Sequence, residues 1–317
     1  MKKVDLVQSA MQILNQCMHT ENHNITIFCG EKSQKTGQLL YKAANILSRD
    51  VLLLQMDMAK FFSTEKPQPV VDLMNAAGLI VVTDKNVTQH KLRHAFKENP
   101  DVRILCINSP NEQSVNRWMK ANHSRIALRT NKIADIFSIG HKLKMQTPAG
   151  TSLDMSIKPS MIIADAPAIN GTPRVCLLPA GAVKIFPDAG SVNGKLAINF
   201  LTGTKQKDAP ATLIVKNGLI HQIRGKNITA ELLRRQLKRS KPNARKIVNF
   251  SIGTNDTASF GNSVFEDQKV LGGACVFIGE PEEKPSAQVN LTSAVMLSPS
   301  IYIDGRKILE NGLLALN

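Results

Sequence analysis

The chain has 317 residues, enough at roughly 150 per domain for two domains with substantial cores. Hydrophobic residues make up 43% and charged residues 21%, with 19 Gly and 15 Pro, which excludes wholesale disorder. Forty Lys and Arg stand against 25 Asp and Glu, a formal charge of +15 that invites a nucleic-acid or acidic-partner reading.

In chain order, Val4, Val7, Met11 and Leu14 share a helical stripe. A β-rich run, Ile25–Cys29, follows. Helical stretches at about 36–48, 69–76, 88–98 and 111–121 then alternate with apolar runs at Val51–Met56, Leu79–Thr83 and Val102–Ile107. That alternation predicts parallel strands covered on both faces by helices. No apolar run approaches the roughly 20 residues of a membrane span, so no membrane partner is expected. The start lacks the continuous apolar centre of a signal peptide. The five cysteines (17, 29, 106, 176 and 275) form no CxxC pair and are odd in number. A reducing, cytoplasmic setting is therefore expected.

Two motifs in this half fail on inspection. Gly30-Glu-Lys-Ser-Gln-Lys35-Thr36 sits between strand and helix as a phosphate loop would, but Cys29 and Gln34 stand where that loop needs glycine. His90 and His94 share a helix face without a third ligand nearby, and His19 and His23 lack the glutamate of a zinc-peptidase helix.

From about residue 130 the texture changes. A helix over Asn131–Ile139 leads to β-rich runs at Lys142–Gln146, Ala197–Phe200, Thr212–Lys216, Leu219–Ile223, Cys275–Ile278 and Ser300–Ile303. One helix, about 228–240, interrupts them, and Lys205–Asp208 reads as a hairpin tip. The pattern predicts a mostly antiparallel sheet.

Several motifs occur here in a distinctive order: Pro148-Ala-Gly-Thr-Ser-Leu153, Leu178-Pro-Ala-Gly181, Asn193-Gly194, Ser251-Ile-Gly-Thr-Asn255, Glu266-Asp-Gln-Lys-Val-Leu-Gly272, Phe277-Ile-Gly279 and Ile301-Tyr-Ile-Asp-Gly305. In the first half Asn86-Val-Thr-Gln-His90 agrees with them. This order resembles the aminopeptidase T family of metallopeptidases, whose relatives include iron-dependent dihydroxypyridine dioxygenases. The resemblance implies an α/β N-terminal domain with a mostly parallel sheet, residues 1–130. An α+β, β-rich C-terminal domain of aminopeptidase T type, residues 131–317, would house the metal site, usually in a homodimer.

The same resemblance implies ligand positions, and this chain departs from them. Ala182 stands at the first carboxylate position, Asn249 at the second and Cys275 at a histidine. Asn290 and Thr292 align with the closing His-x-Asp pair, and Glu282 with a catalytic tyrosine. A hard divalent cation needs carboxylates and imidazoles, so no metal, no cofactor and no catalytic residue are expected. A thiolate nucleophile at Cys275 would need a base that the sequence does not place beside it.

The expectation is thus a catalytically inactive aminopeptidase-like protein, a cytoplasmic homodimer. It would bind a peptide or acidic protein partner, as a scaffold for a processing or biosynthetic enzyme. Ala182, Asn249, Asn255, Cys275, Asn290 and Thr292 would line its degenerate metal-site pocket. One alternative is an active enzyme with a re-purposed pocket, either a peptidase-like hydrolase or a natural-product tailoring enzyme. Another is a nucleic-acid-associated protein using the basic helix face of Arg234, Arg235, Lys238 and Arg239. That partner is less favoured, because no aromatic side chain interleaves the patch.

Overall fold

The computed structural model describes residues 6–18, 24–63, 65–84, 87, 92, 94–97, 99, 101–108, 112–204, 209–238, 242–279 and 291–315. They fall into two compact units. The first comprises Met1–Ala127 with Ala166–Ala180, and the second Leu128–Asp165 with Gly181–Asn317. The stretch 166–180, which the sequence boundary at 130/131 assigned to the second domain, belongs to the first unit.

The first unit is built on β1 (Ile25–Cys29), β2 (Val51–Gln55), β3 (Leu79–Thr83) and β4 (Arg103–Ile107). These strands pair in the order β2-β1-β3-β4, all parallel. Strands β1 and β3 are buried along their whole length, as strands covered on both faces must be. Helices Leu6–Cys17, Gln34–Leu47, Gln68–Ala76 and Glu112–Met119 match four of the predicted stretches. Of the predicted helix at 88–98 only Leu92, His94 and Ala95 are described as helical, and His19, His23 and His90 lie outside the described residues.

A helix over His123–Ser138 then leads into the second unit. It begins earlier than the hydrophobic pattern at 131–139 suggests. Asn122 Oδ1 accepts a hydrogen bond from Arg125 N at 3.0 Å, the N-cap arrangement that satisfies a donor of the first turn. Next come β5 (Lys142–Gln146) and β6 (Ser152–Asp165), a strand of 14 residues. The chain returns to the first unit to lay β7 (Val175–Leu178) parallel against β4 as its fifth strand.

The remaining strands are β8 (Ala182–Pro187), β9 (Asn193–Ile198), β10 (Phe200–Leu201), β11 (Ala211–Lys216), β12 (Leu219–Arg224), β13 (Ile247–Gly253), β14 (Gly273–Ile278), β15 (Thr292–Leu297), β16 (Ser300–Ile303), β17 (Arg306–Glu310) and β18 (Leu313–Leu314). They join an antiparallel sheet ordered β10-β15-β14-β13-β8-β6-β5-β16-β17-β18, from which β9, β11 and β12 branch. The predicted α/β domain with a parallel sheet and the β-rich domain with a mostly antiparallel one are therefore both present. The proposed hairpin tip at 205–208 lies outside the described residues.

Alternation gives the second unit's sheet two unlike faces. Val183, Ile185, Phe250, Ile252, Val276 and Met296 point into the unit's large core. Their neighbours point the other way, and that second face carries the polar residues.

Candidate functional site

Strand register sets which side chains share the second face. Lys184 pairs with Ser251, Ser251 with Cys275, and Cys275 with Val295. Beside that row, Asp165 pairs with Ala182, and Ala182 with Gly253. Asn249 pairs with Phe277, and Phe277 with Ser293. Residues directly opposite in an antiparallel pair project on the same side, so Asp165, Ala182, Lys184, Asn249, Ser251 and Cys275 all belong to this face.

The segment 266–271 is fastened over one end of it. Asn255 N donates to Lys269 O at 2.8 Å, Leu271 N to Asn255 O at 2.9 Å, and Ser251 Oγ to Gln268 O at 3.2 Å. Gly253 permits the approach, because a Cβ there would collide with the Val270 carbonyl. The fastening delivers Lys269, 4% exposed at its side chain, onto Asp165, and Lys184 Nζ lies 3.5 Å from the same carboxylate. Burial alone would push the Asp165 carboxyl up, but the two ammonium groups hold it below its ordinary value. Burial lowers the proton affinity of Lys269, and Asp165 offsets part of that. Lys184 keeps 25% of its side chain exposed, against 4% for Lys269.

An apolar wall adjoins these charges. Phe200, Cys275 and Val295 are buried together, with Phe260, Phe277 and Leu297 packed against them. Phe200 and Phe260 meet edge to face, their centroids 5.5 Å apart. Asp267 lies beneath the same loop, accepting from Gly203 N and Gly261 N, both at 2.7 Å. Burial nevertheless raises its pKa to about 6, despite those backbone donors and the one at Asn262.

The six residues expected to line a pocket are only partly brought together. Ala182, Asn249 and Cys275 share the face described. Asn255 lies at the strand's end and is spent on structure: its Oδ1 accepts from Thr257 N, Thr257 Oγ1 and Ala258 N at 2.8, 2.8 and 3.2 Å. Thr292 pairs with Ile278, a residue of the large core, and so projects from the opposite face. A shift of one residue along a strand reverses the side chain's direction, and Ser293 is the residue that faces Cys275's side. Asn290 and Glu282 lie outside the described residues. Cys275 is wholly buried, and burial pushes its thiol well above the ordinary value, so it packs rather than attacks.

Sequence reasoning missed Asp165, Lys184 and Lys269. A signal for Lys184 was available, since it is the one charge in the run Ala182–Phe186 and lies two residues from Ala182, hence on the same strand face. On the basic helix Ile228–Lys238, Arg234 is used structurally, donating to Ile223 O and Gly225 O at 3.0 and 2.7 Å. Arg235 lies 4.0 Å from Glu231, while the side chain of Lys238 and all of Arg239 lie outside the described residues. Among the described residues, no three His, Cys, Asp or Glu side chains gather as a metal-binding group. Among the described residues, no helix is long and apolar enough to cross a membrane.

Comparison with known proteins places this architecture. The 2,5-dihydroxypyridine dioxygenase of Pseudomonas putida KT2440 superposes with a TM-score of 0.77 at 16% identity, covering 100% of this chain and 99% of that one. AmpT of Thermus thermophilus superposes with a TM-score of 0.62 at 11% identity, covering 98% and 99%. At such identities these likenesses show the fold. No curated protein matches the chain by sequence. The family model for NicX, 2,5-dihydroxypyridine 5,6-dioxygenase, matches residues 5–277. That match overturns the expectation of an inactive, peptide-binding pseudoenzyme of a metallopeptidase family, since the family it identifies is one of ring-cleaving enzymes, with aminopeptidase T a structural relative. With 273 consecutive residues under one family model, the chain belongs to the NicX 2,5-dihydroxypyridine 5,6-dioxygenase family.

Proposed function

We propose that this protein is an active enzyme with a re-purposed pocket, acting on a small ring that carries an acidic oxygen, of the hydroxypyridine class named by its family. The observation that carries this is Lys184. Its side chain, 25% exposed and paired with Asp165, belongs to the sheet face where Ala182, Asn249 and Cys275 stand at the implied ligand positions. Loss of the metal ligands is part of the proposal. The family implies iron, but Ala182 offers no donor, Cys275 is a buried thiol held protonated, and two ammonium groups adjoin the face. These residues do not fit a hard divalent cation.

What the residues do fit is an anion. Lys184 would hold a ring oxyanion by a charge-assisted hydrogen bond, while Asp165 and Lys269 fix its position. Phe277 and the Phe200–Phe260 pair supply an apolar, aromatic surface that suits a flat ring and excludes water. Dioxygen would be the co-substrate, as the family name implies. The test is loss of ring absorbance together with oxygen uptake when purified protein meets 2,5-dihydroxypyridine and a panel of other hydroxylated pyridines in air. Saturable turnover of at least one member is expected. Absence of both binding and turnover across the panel would overturn the proposal.

A further inference from the structure

Among the described residues of this face, Asn249 alone carries a buried side-chain atom without a hydrogen-bond partner. It is 9% exposed, and its Oδ1 is buried with no hydrogen-bond partner. A buried acceptor left unmade loses its hydration without return, so such atoms are rare unless a ligand completes them. The side chain's direction follows from register. Phe250 points into the large core, so Asn249 and Ser251 project to the second face, with Phe277 directly across from Asn249. Strand β13 shifts register against β14 between Ile247 and Asn249. Such irregularities re-aim side chains next to binding sites.

Among the described residues, the neighbours of Asn249 on this face do not serve it. Phe277 has no polar atom, and Ser251 Oγ already donates to Gln268 O. Lys184, opposite Ser251, is the diagonal neighbour of Asn249, roughly 7–8 Å away by antiparallel geometry, and its ammonium turns to Asp165. A ligand that met both residues would present an anionic oxygen to Lys184 and a donor to Asn249.

We infer that Asn249 is the specificity-determining residue of this pocket, its Oδ1 accepting a hydrogen bond from a ring N–H or O–H of the ligand, so that the site takes lactam or hydroxylated heterocycles and rejects their alkylated counterparts. The inference rests on the anionic-ring reading of the same face, and its test separates the two. Calorimetric titration of the full chain with 5-hydroxy-2-pyridone, a tautomer of 2,5-dihydroxypyridine, is compared with titration of its N-methyl derivative. The N–H ligand is expected to bind about tenfold tighter or more, because methylation leaves the buried acceptor unpaired. In Asn249→Leu the preference should vanish, while the melting temperature holds or rises, since an apolar side chain removes the orphaned polar atom.

Equal affinities in the wild type overturn this inference and leave the anionic-ring reading standing. Binding of neither ligand overturns the inference, and the panel of hydroxylated pyridines then decides the anionic-ring reading separately. A purely structural Asn249 would lower the melting temperature of Asn249→Leu and leave ligand preference unchanged, which also overturns the inference. Should Asn249→Leu fail to fold, Asn249→Asp decides: its carboxylate beside an anionic ring weakens binding of both ligands, and unaltered binding contradicts the assignment.

Discussion

Asp165 illustrates how much one buried charge can hold in place. Lys269 at 4% side-chain exposure depends on it for a counter-charge, whereas Lys184 at 25% can turn to water. Asp165→Asn therefore should cost about 3–5 kcal/mol of stability, the expected penalty for stranding a buried partner. Lys184→Met should cost under about 1 kcal/mol, as a partly exposed pair does, and should raise KM for the acidic ring. Denaturant midpoints and steady-state kinetics check the two effects separately. Cys275→Ala should lose about 1 kcal/mol or so of packing and keep its turnover, because the thiol is buried and protonated.

The pH response follows from three groups with different signs. His123 is buried, with Nε2 3.0 Å from the Trp118 carbonyl, and its pKa falls to about 4. The unfolded chain then binds the extra proton more readily, so His123's contribution is lost as pH drops from about 6.5 towards 4. Asp165, with its carboxyl held low by Lys269 and Lys184, adds stability above the ordinary carboxylate range that is lost in stronger acid. Asp267 runs the other way. Its pKa of about 6 means that the folded state holds a proton the unfolded chain releases, so its contribution falls as pH rises from about 4 to 6. His123→Gln should flatten the loss of stability between pH 6.5 and 4, and Asp267→Asn should steepen it, as read from melting temperatures across that window.

At the scale of elements, legibility tracked periodicity. The first unit's alternating runs gave its strands and most helices because parallel strands are continuous apolar stretches. Strand β7 escaped, since four residues carry little pattern and its partner β4 lies far away in the chain. The helix at 123–138 was read short because its first turns are polar, although Asn122 carried the cap signal. The tie between this helix and the 254–256 turn is equally invisible to periodicity. Arg129 Nη1 donates to Thr254 O at 2.6 Å, and the Thr130 and Thr254 hydroxyls meet at 2.6 Å. Thr130→Val should cost about 1–3 kcal/mol by leaving the buried Thr254 hydroxyl without that partner. On the basic helix, Arg235→Glu should move stability by no more than about 0.5 kcal/mol, while Arg234→Glu should cost more by releasing two loop carbonyls.

At the scale of the molecule, fold and site were legible to different degrees. The order of motifs named the architecture, and Ala182, Asn249 and Cys275 do share one face. Thr292 was misplaced because face depends on register, which a sequence without its pairing partners does not show. The inference from missing ligands to missing activity failed for a further reason. It weighed only what the positions lack, whereas the model that matches residues 5–277 is that of a dioxygenase family. The central claim is that the chain turns over an acidic ring without a metal held at those positions. Its most direct test is the rate of ring loss in air across the same panel of hydroxylated pyridines, 2,5-dihydroxypyridine included, measured before and after exhaustive chelation and again with ferrous iron restored. The account predicts one rate in all three conditions, reduced about tenfold or more in kcat/KM by Lys184→Met. No turnover in any condition, or turnover that appears only with iron, would contradict it.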